Sequence, residues 1–103
     1  MFMQNEIVDW AEEKGIFNPP NFMKQMKGLA EEPLEVVEAY TSYKHCCGPI
    51  SDIQTEMGDI YVWWINACAT AGLKPEICIQ LAYQKIAGRT GHMENGRFIK
   101  DEN

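Results

Sequence analysis

The sequence of residues 51–72 is SDIQTEMGDIYVWWINACATAG, and its pattern predicts one long amphipathic helix. Apolar side chains recur at steps of three and four, the spacing of a helix face that packs on a core. This core stripe consists of Ile53, Met57, Ile60, Trp64, Ala67 and Ala71. A second stripe runs beside it and consists of Glu56, Asp59, Trp63 and Asn66. The acidic pair Glu56 and Asp59 therefore lies on the flank of the predicted core face, where a cleft can form.

A second acidic pair, Glu32 and Glu35, precedes the first and is separated from it by residues 36–55. In each pair the carboxylates are three residues apart, which places them on one face of a helix with Cβ atoms about 5–6 Å apart. Two such helices facing each other would form a cage of four carboxylates. An oxygen cage suits Mg²⁺, which completes its octahedron with water and substrate phosphates. The pattern indicates metal-assisted phosphate transfer, with Glu32, Glu35, Glu56 and Asp59 as the metal ligands.

Either pair alone is weak support for a metal site, because glutamate-rich helix faces are common on protein surfaces. The upstream pair lies in a crowd of like charges at helical spacing, formed by Glu31, Glu32, Glu35 and Glu38. Such crowding destabilises an isolated helix by about 0.2–0.5 kcal/mol per pair. A bound cation would relieve this repulsion.

The two motifs and their spacing resemble those of the MazG-type all-α nucleoside triphosphate pyrophosphohydrolases. The resemblance covers most of residues 24–100 and is carried by KQMKGLAEEPLEV (24–36), EMGDIYVWW (56–64) and YQKIAGRTGHMENGRFIK (83–100). The chain departs from the family at Pro33 and Leu34, where relatives usually carry an apolar residue and a small one.

The resemblance implies hydrolysis of a nucleoside triphosphate to a monophosphate and pyrophosphate. Two or more Mg²⁺ ions, with Mn²⁺ as a possible substitute, would be held by the four carboxylates and would orient a water for in-line attack on the α-phosphorus. Glu35 and Glu56 are the candidate catalytic residues. For Glu35, a role in bridging metals and a role in accepting the proton of the water both stay open.

Two basic residues are candidates for holding the β- and γ-phosphates. Lys85 and Arg89 are four apart on a predicted helix and so share a face. The lysine would act as a point charge and the arginine as a bidentate fork. Exposed cations near a helix C-terminus are also favoured by the macrodipole, but the resemblance to the family's Lys-x-x-x-Arg segment favours the phosphate role.

Trp10, Gln25 and Asn66 are candidates for contacting the base or the sugar. An aromatic ring can stack on a base, although aromatic residues at helical spacing, such as Trp10, usually belong to a core. Asn66 is the better candidate, because it lies among apolar neighbours, where an amide without a partner is costly.

We expect an all-α fold of the four-helix-bundle type, with no strands. The predicted helices cover residues 6–14, 21–44, 51–72 and 75–88. Asn5 would cap the first helix and Gly15 would end it, and the residues 51–54 have the Ser-x-x-Gln form of a capping box. Pro33 predicts a kink or a break near residues 29–32. Residues 89–103 are predicted to form a turn or a short, irregular basic arm.

Composition and charge limit the classes of function. A chain of 103 residues has room for a single domain, residues 1–103, and its 46% hydrophobic and 23% charged residues are ordinary for a globular protein. The formal charge of −6 argues against binding to a nucleic-acid polymer. The first ten residues are acidic and polar rather than a secretory signal, so we expect a cytoplasmic protein with no membrane partner.

Residues 60–65, IYVWWI, are apolar around nearly the whole helix, which therefore needs cover on several sides. A four-helix monomer of this size can hardly supply that cover. We therefore expect a homodimer or a homotetramer.

Three alternatives have different requirements. A di-iron carboxylate bundle needs two Glu-x-x-His elements, and neither His45 nor His92 follows a glutamate by three residues. A catalytically inactive helical oligomerisation or interaction protein stays open, because Pro33 can spoil the site while the fold survives. A phosphoribosyl-ATP pyrophosphohydrolase also stays open, since the resemblance covers that chemistry too.

Overall fold

The computed structural model describes residues 1–101, which are mainly helical. Within that range the chain forms four helices followed by a two-stranded antiparallel sheet. The elements are α1 (Gln4–Glu13), α2 (Phe22–His45), α3 (Ile50–Ala71), α4 (Pro75–Ala87), β1 (Gly91–Glu94) and β2 (Arg97–Lys100). The mainly helical prediction is confirmed, whereas the prediction of no strands is wrong.

The two long helices form the body of the molecule. The most extensive contact between elements is that of α2 with α3, and α1 packs against α3 as well. The fully buried apolar side chains are small in number and lie on α1 and α3: Ala11, Ile65, Ala67 and Cys68. The core therefore lies between α1 and the C-terminal half of α3, next to the place where α2 crosses.

The N-terminus of α1 differs from the prediction, while its C-terminus agrees. The helix begins at Gln4, after Met3 in the left-handed conformation, so Asn5 lies inside the helix and caps nothing. Because the left-handed turn at Met3 already starts the helix, no side-chain cap is used. Gly15 follows the helix with φ +77°, a conformation that suits glycine, and ends it as predicted.

Helix α2 begins after Asn21, whose side-chain Oδ1 accepts a 3.0 Å hydrogen bond from the Lys24 backbone N–H. This is the geometry of an N-cap, which satisfies one of the free amides of the first turn. Helix α2 then continues without interruption through Pro33 to His45. Of the predicted kink or break, the break is wrong, because the long contact with α3 holds both halves of α2 helical although Pro33 lacks an amide donor.

Helix α3 starts one residue earlier than predicted, at Ile50. Ser51 therefore lies inside the helix, and the predicted capping box does not form. The backbone oxygen of Ser51 instead accepts a 2.9 Å hydrogen bond from the Thr55 hydroxyl. The end is as predicted, since Gly72 terminates the helix with φ +68°.

The predicted core stripe of α3 is only partly covered within the chain. Met57 is 54% exposed and Ala71 is also exposed, which contradicts their assignment to the core. Ile53, Ile60 and Trp64 are half-buried. The reason is that α1 and α2 cover only part of the surface of α3.

Helix α4 is the most exposed of the described helices. It begins at Pro75 and ends at Ala87, close to the prediction, and only Pro75 is buried. Several large apolar side chains on it face solvent: Ile77, Ile79, Leu81, Tyr83 and Ile86. The radius of gyration of the chain is 17.0 Å, whereas a compact chain of this length has about 13 Å. Helix α4 therefore extends away from the packed body of the molecule.

The segment after α4 contains the hairpin that the sequence reasoning missed. Gly91 pairs with Lys100 and Glu94 with Arg97, so Asn95 and Gly96 form the two-residue turn. Both turn residues have positive φ, at 49° and 77°, as favoured hairpin turns require. The prediction of a turn is therefore confirmed at Asn95 and Gly96, whereas the alternative of an irregular arm is wrong for residues 91–100. Residues 102–103 lie outside the described range.

Among residues 1–101, no helix combines the length and the apolar character that a bilayer span requires.

Candidate functional site

Three of the four predicted ligands meet at the contact between α2 and α3. Glu32 and Glu35 of α2 and Glu56 of α3 each offer one carboxylate oxygen, and these oxygens all lie within 4.8 Å of one another. Their i, i+3 spacing places Glu32 and Glu35 on one face of α2, and the packing of α2 on α3 brings that face against Glu56. We call these three residues the acidic cluster.

Glu32 is the buried member of the acidic cluster, at 8% exposure. Its Oε1 accepts a 2.9 Å hydrogen bond from the indole Nε1–H of Trp63. Its Oε2 is buried and accepts no hydrogen bond from any residue in the described range 1–101. Burial raises the pKa of Glu32 above its ordinary value, while the Trp63 hydrogen bond acts against that rise. The fold thus holds one oxygen in place, and a hydrogen bond between the Glu32 and Glu35 carboxyls adds to the rise in the pKa of Glu32.

Glu35 and Glu56 place two further carboxyls beside Glu32. A hydrogen bond with the neighbouring Glu56 carboxyl raises the pKa of Glu35, while the hydrogen bond with Glu32 acts against that rise; some desolvation and the charges of Glu56 and Asp59 add to it. Glu56 is half-buried, and its Oε2 also accepts no hydrogen bond from the part of the chain that the structure describes. Close carboxylates repel one another unless a proton or a cation neutralises them. The acidic cluster is therefore strained by charge when it is fully ionised.

Asp59 lies beside the acidic cluster rather than in it. It follows Glu56 by three residues on α3, and its charge helps to raise the pKa of both Glu32 and Glu35. It lines the cavity described below together with Glu32. The structure thus brings three of the predicted ligands together and places the fourth at their edge.

Trp63 and Gly28 fit against each other where α2 crosses α3. A Cβ atom on Gly28 would lie 2.5 Å from Cη2 and Cζ3 of the Trp63 ring, which is too close for any real contact. The missing side chain therefore lets the indole lie against the backbone of α2, one turn before Glu32. Sequence reasoning placed Trp63 on the acidic stripe but gave neither residue a role.

A cavity of about 660 Å³ opens beside the acidic cluster. This volume lies within the range of about 300–1,000 Å³ that small-molecule sites occupy. Its walls come from α1, the α1–α2 loop, α2 and α3. The residues that line it are Trp10, Lys14, Gly15, Ile16, Asn18, Pro19, Asn21, Lys24, Gln25, Glu32, Asp59, Val62, Trp63 and Asn66. Acidic, aromatic and amide side chains thus face one space.

The three residues predicted to contact a base or a sugar all line this cavity. Gln25 and Asn66 are each only 3% exposed. Trp10 is 49% exposed, so the assignment of Trp10 to the core is wrong. The reason is that α1 buries its neighbour Ala11 and leaves Trp10 at the border of the cavity.

The two predicted phosphate-binding residues lie elsewhere. Lys85 and Arg89 are exposed and do not line the cavity. Arg89 also lies beyond the end of α4, because Gly88 is the C-cap and the Arg89 amide donates to the Ile86 oxygen at 3.1 Å. The prediction that both share a face of one helix is therefore wrong for Arg89.

The α1–α2 loop contributes walls that sequence reasoning did not assign. Ile16, Asn18 and Pro19 lie in this loop, and Val62 of α3 faces them. No motif marks such residues, because apolar loop residues become cavity walls only when helices pack around them. Gly28 carried a usable signal, since a glycine inside a helix costs about 1 kcal/mol relative to alanine and therefore calls for a packing reason.

No family model, curated protein or solved structure matches this chain.

Proposed function

We propose that this protein is a magnesium-dependent nucleoside triphosphate pyrophosphohydrolase of the MazG type. It would cleave a ribo- or deoxyribonucleoside triphosphate to the monophosphate and pyrophosphate. One observation carries the proposal: the acidic cluster meets, through Glu32, a cavity that offers aromatic and amide groups. A nucleotide needs those two environments side by side, one for its phosphates and one for its base.

The residues present fit a hard divalent cation. The acidic cluster offers only oxygen atoms, which Mg²⁺ and Mn²⁺ prefer. Glu32 Oε2 and Glu56 Oε2 have no partner within residues 1–101, although burial without one is costly. Glu32, Glu35 and Glu56 would hold the cation, with Asp59 at the edge. When bound, a divalent cation neutralises phosphate charge and lowers the pKa of the attacking water.

The side chains of the acidic cluster have different roles in the proposed reaction. Glu32 is fixed by Trp63 and serves as an anchor that cannot swing away. Glu35 is exposed and its pKa is raised, which suits a group that takes the proton from a water. The water oxygen would bond to the α-phosphorus while the bond to the bridging oxygen of pyrophosphate breaks. Glu56 would share the positioning of that water with Glu35.

The oligomeric state forms part of the proposal. The exposed apolar side chains of α4 and the extended shape of the chain support a homodimer or a homotetramer. In such an assembly, Lys85 and Arg89 would meet the phosphates from a neighbouring copy, since they do not line the cavity of their own chain. A cytoplasmic setting, where nucleoside triphosphates and magnesium are abundant, accords with this chemistry.

A direct assay tests the activity. Pyrophosphate release is measured with a panel of ribo- and deoxyribonucleoside triphosphates in magnesium buffer, for wild type, Asp59→Ala and Asp52→Ala. Asp52 is a matched control, because it is an exposed aspartate in the first turn of the same helix. Asp59→Ala is expected to lose at least the roughly 10- to 100-fold that outer partners of metal sites contribute. Equal rates for wild type and Asp59→Ala would refute the enzyme assignment.

An interaction protein without catalytic activity is the second candidate. The exposed apolar side chains of α4 favour it, because contiguous apolar surface marks interaction sites. It requires neither metal binding nor nucleotide cleavage, so the same assay separates the two candidates.

A further inference from the structure

Two cysteines stand side by side where α2 ends. Cys46 is the C-cap of the helix, Cys47 follows it, and both side chains are exposed. Both are free thiols, and their Sγ atoms lie in direct contact, 2.6 Å apart. We call this pair the vicinal dithiol. It does not line the cavity, and at 1.5 Å per residue it lies about 16 Å along the axis of α2 from Glu35, so it is separate from the acidic cluster.

The backbone around the vicinal dithiol folds tightly over the last turn of α2. The Ser42 oxygen accepts hydrogen bonds from three successive amides, those of residues 46–48, at 3.0, 3.2 and 3.3 Å. A Cβ atom on Gly48 would lie 2.9 Å from the Ser42 Cβ, so the absence of a side chain at Gly48 lets the chain come this close. The turn therefore keeps the two thiols together at the surface.

A disulfide between these two thiols fits the arrangement poorly. The peptide bond between Cys46 and Cys47 is trans, which places their Cα atoms about 3.8 Å apart, whereas disulfides usually join Cα atoms about 4.4–6.8 Å apart. The hydrogen bond with Cys46 also raises the pKa of the Cys47 thiol, so less thiolate is available to attack another disulfide. An atom that bridges the two sulfurs would lengthen the ring and remove the first of these obstacles.

The vicinal dithiol offers two soft donors and no more. Among residues 1–101, no further histidine, cysteine or carboxylate ligand atom joins the two sulfurs in a group that could hold a metal ion. A structural zinc site needs four ligands, so the pair alone does not form one. Two adjacent thiols suit instead a soft centre that exchanges two of its bonds and keeps the third.

Trivalent arsenic in an organic arsenical is a centre of this kind. The arsenic atom keeps its bond to carbon and exchanges its two bonds to oxygen for bonds to sulfur. Because trivalent arsenic is pyramidal, the two new bonds lie near a right angle and require sulfurs that are already close together. The contact between the Sγ atoms of Cys46 and Cys47 meets this requirement.

We propose that Cys46 and Cys47 form a binding site for trivalent organic arsenicals that carry two exchangeable oxygens. In the hydrated reagent, each of two As–OH bonds breaks and an As–S bond takes its place. Each thiol proton leaves with a hydroxyl group, so two water molecules are released. Arsenic stays trivalent and no electron is transferred. The product is a ring in which arsenic bridges the two sulfurs, and its formation does not depend on the proposed hydrolase activity.

Phenylarsine oxide tests the site on the wild-type protein. The protein is incubated first with the reagent and then with an excess of the monothiol glutathione, and its mass is measured by native mass spectrometry. A chelate resists a monothiol because the second As–S bond holds the arsenic in place while the first one re-forms. One phenylarsenic group per chain is expected to stay bound in glutathione and to be removed by the dithiol dimercaptopropanol.

Substitutions locate the binding in the vicinal dithiol. Cys46→Ser and Cys47→Ser each leave a single sulfur at the site, so each variant is expected to lose the bound group in glutathione. Both side chains are exposed, and serine is therefore expected to leave the fold intact. Cys78→Ser is the matched control, because Cys78 lies on α4 beside Cys68. The control is expected to keep one group per chain.

Three outcomes decide the inference. Loss of the phenylarsenic group from the wild-type protein in glutathione would overturn it. Retention of the group by a double variant, Cys46→Ser with Cys47→Ser, would assign the binding to Cys68 and Cys78 and would also overturn it. Retention by the wild type and by Cys78→Ser, with loss from both single variants at the dithiol, would support it.

Discussion

Substitution of Trp63 by phenylalanine isolates the hydrogen bond that fixes the acidic cluster. In the structure, the indole Nε1–H donates to Glu32 Oε1 at 2.9 Å, and Glu32 is 8% exposed. Phenylalanine keeps an aromatic ring against Gly28 but has no donor. The buried Glu32 carboxylate would then lose the N–H donor that favours its charged form, so its pKa is expected to rise further and its orientation to loosen.

The size of the effect follows from the chemistry of the contact. A hydrogen bond to a charged group contributes about 1.5–3 kcal/mol net. Since a factor of ten in affinity corresponds to about 1.4 kcal/mol, the loss amounts to roughly 10- to 100-fold in metal affinity. The same range describes the loss of outer partners that orient metal ligands in known sites.

The measurement is the dissociation constant for Mn²⁺, obtained by electron paramagnetic resonance of the free ion. Trp64→Phe is the control, because Trp64 neighbours Trp63 on α3 and its ring lies 6.3 Å from that of Tyr61 rather than against the acidic cluster. We expect Trp63→Phe to weaken Mn²⁺ binding and Trp64→Phe to leave it close to wild type. Equal affinities for the two variants would show that the Trp63 hydrogen bond does not position a metal ligand.

Three further predictions concern the same fold. Gly28→Ala drives a methyl group into the Trp63 ring, so the free energy of unfolding should fall by about 1–3 kcal/mol despite the better helix propensity of alanine. A melting temperature equal to that of the wild type would contradict this packing. The pKa values of Glu32 and Glu35 are raised above their ordinary 4.5, so their contribution to stability is present below pH 4.5 and is lost as the pH rises through the raised values. Without metal, Glu35→Gln should therefore be more stable than wild type at pH 7 and lose that advantage near pH 4.5. Added Mg²⁺ should stabilise only the wild type appreciably. A difference in stability between the two proteins that does not change with pH would refute this. Asn21→Ala removes the N-cap of α2 and should lower the free energy of unfolding by about 1 kcal/mol, as measured by urea denaturation. An unchanged free energy would show that the cap does not stabilise the helix.

The helices of the body could be predicted because local signals determine them. The apolar and acidic stripes of α3 follow from periodicity, and its end at Gly72 follows from the need for a left-handed residue. The start of α3 could not be predicted with the same accuracy. Ser51 and Gln54 have the form of a capping box, but Pro49 in an extended conformation allows the helix to begin at Ile50.

Signals that depend on tertiary contacts were harder to interpret. Pro33 predicted a kink or a break, and the packing of α2 on α3 keeps the helix unbroken. The hairpin at residues 91–100 was missed because two exposed four-residue strands carry little pattern beyond Asn95-Gly96, and an isolated hairpin is only marginally stable.

The convergence of the acidic side chains could be predicted in part. The spacing of Glu32 and Glu35 and the position of Glu56 on the core flank were enough to bring three carboxyls together. A cleft at this flank of α3 was expected, but the α1–α2 loop residues that close the cavity could not be predicted, because no motif marks them. Lys85 and Arg89 were grouped by their spacing and by the family resemblance, but the end of α4 separates them.

The most direct test of the central claim is the anomalous scattering of manganese in crystals grown or soaked with Mn²⁺. We expect at least one strong peak between the carboxylates of Glu32, Glu35 and Glu56, with oxygen ligands at about 2.0–2.2 Å. Carboxylates turned into bulk solvent with no anomalous peak between them would contradict the account.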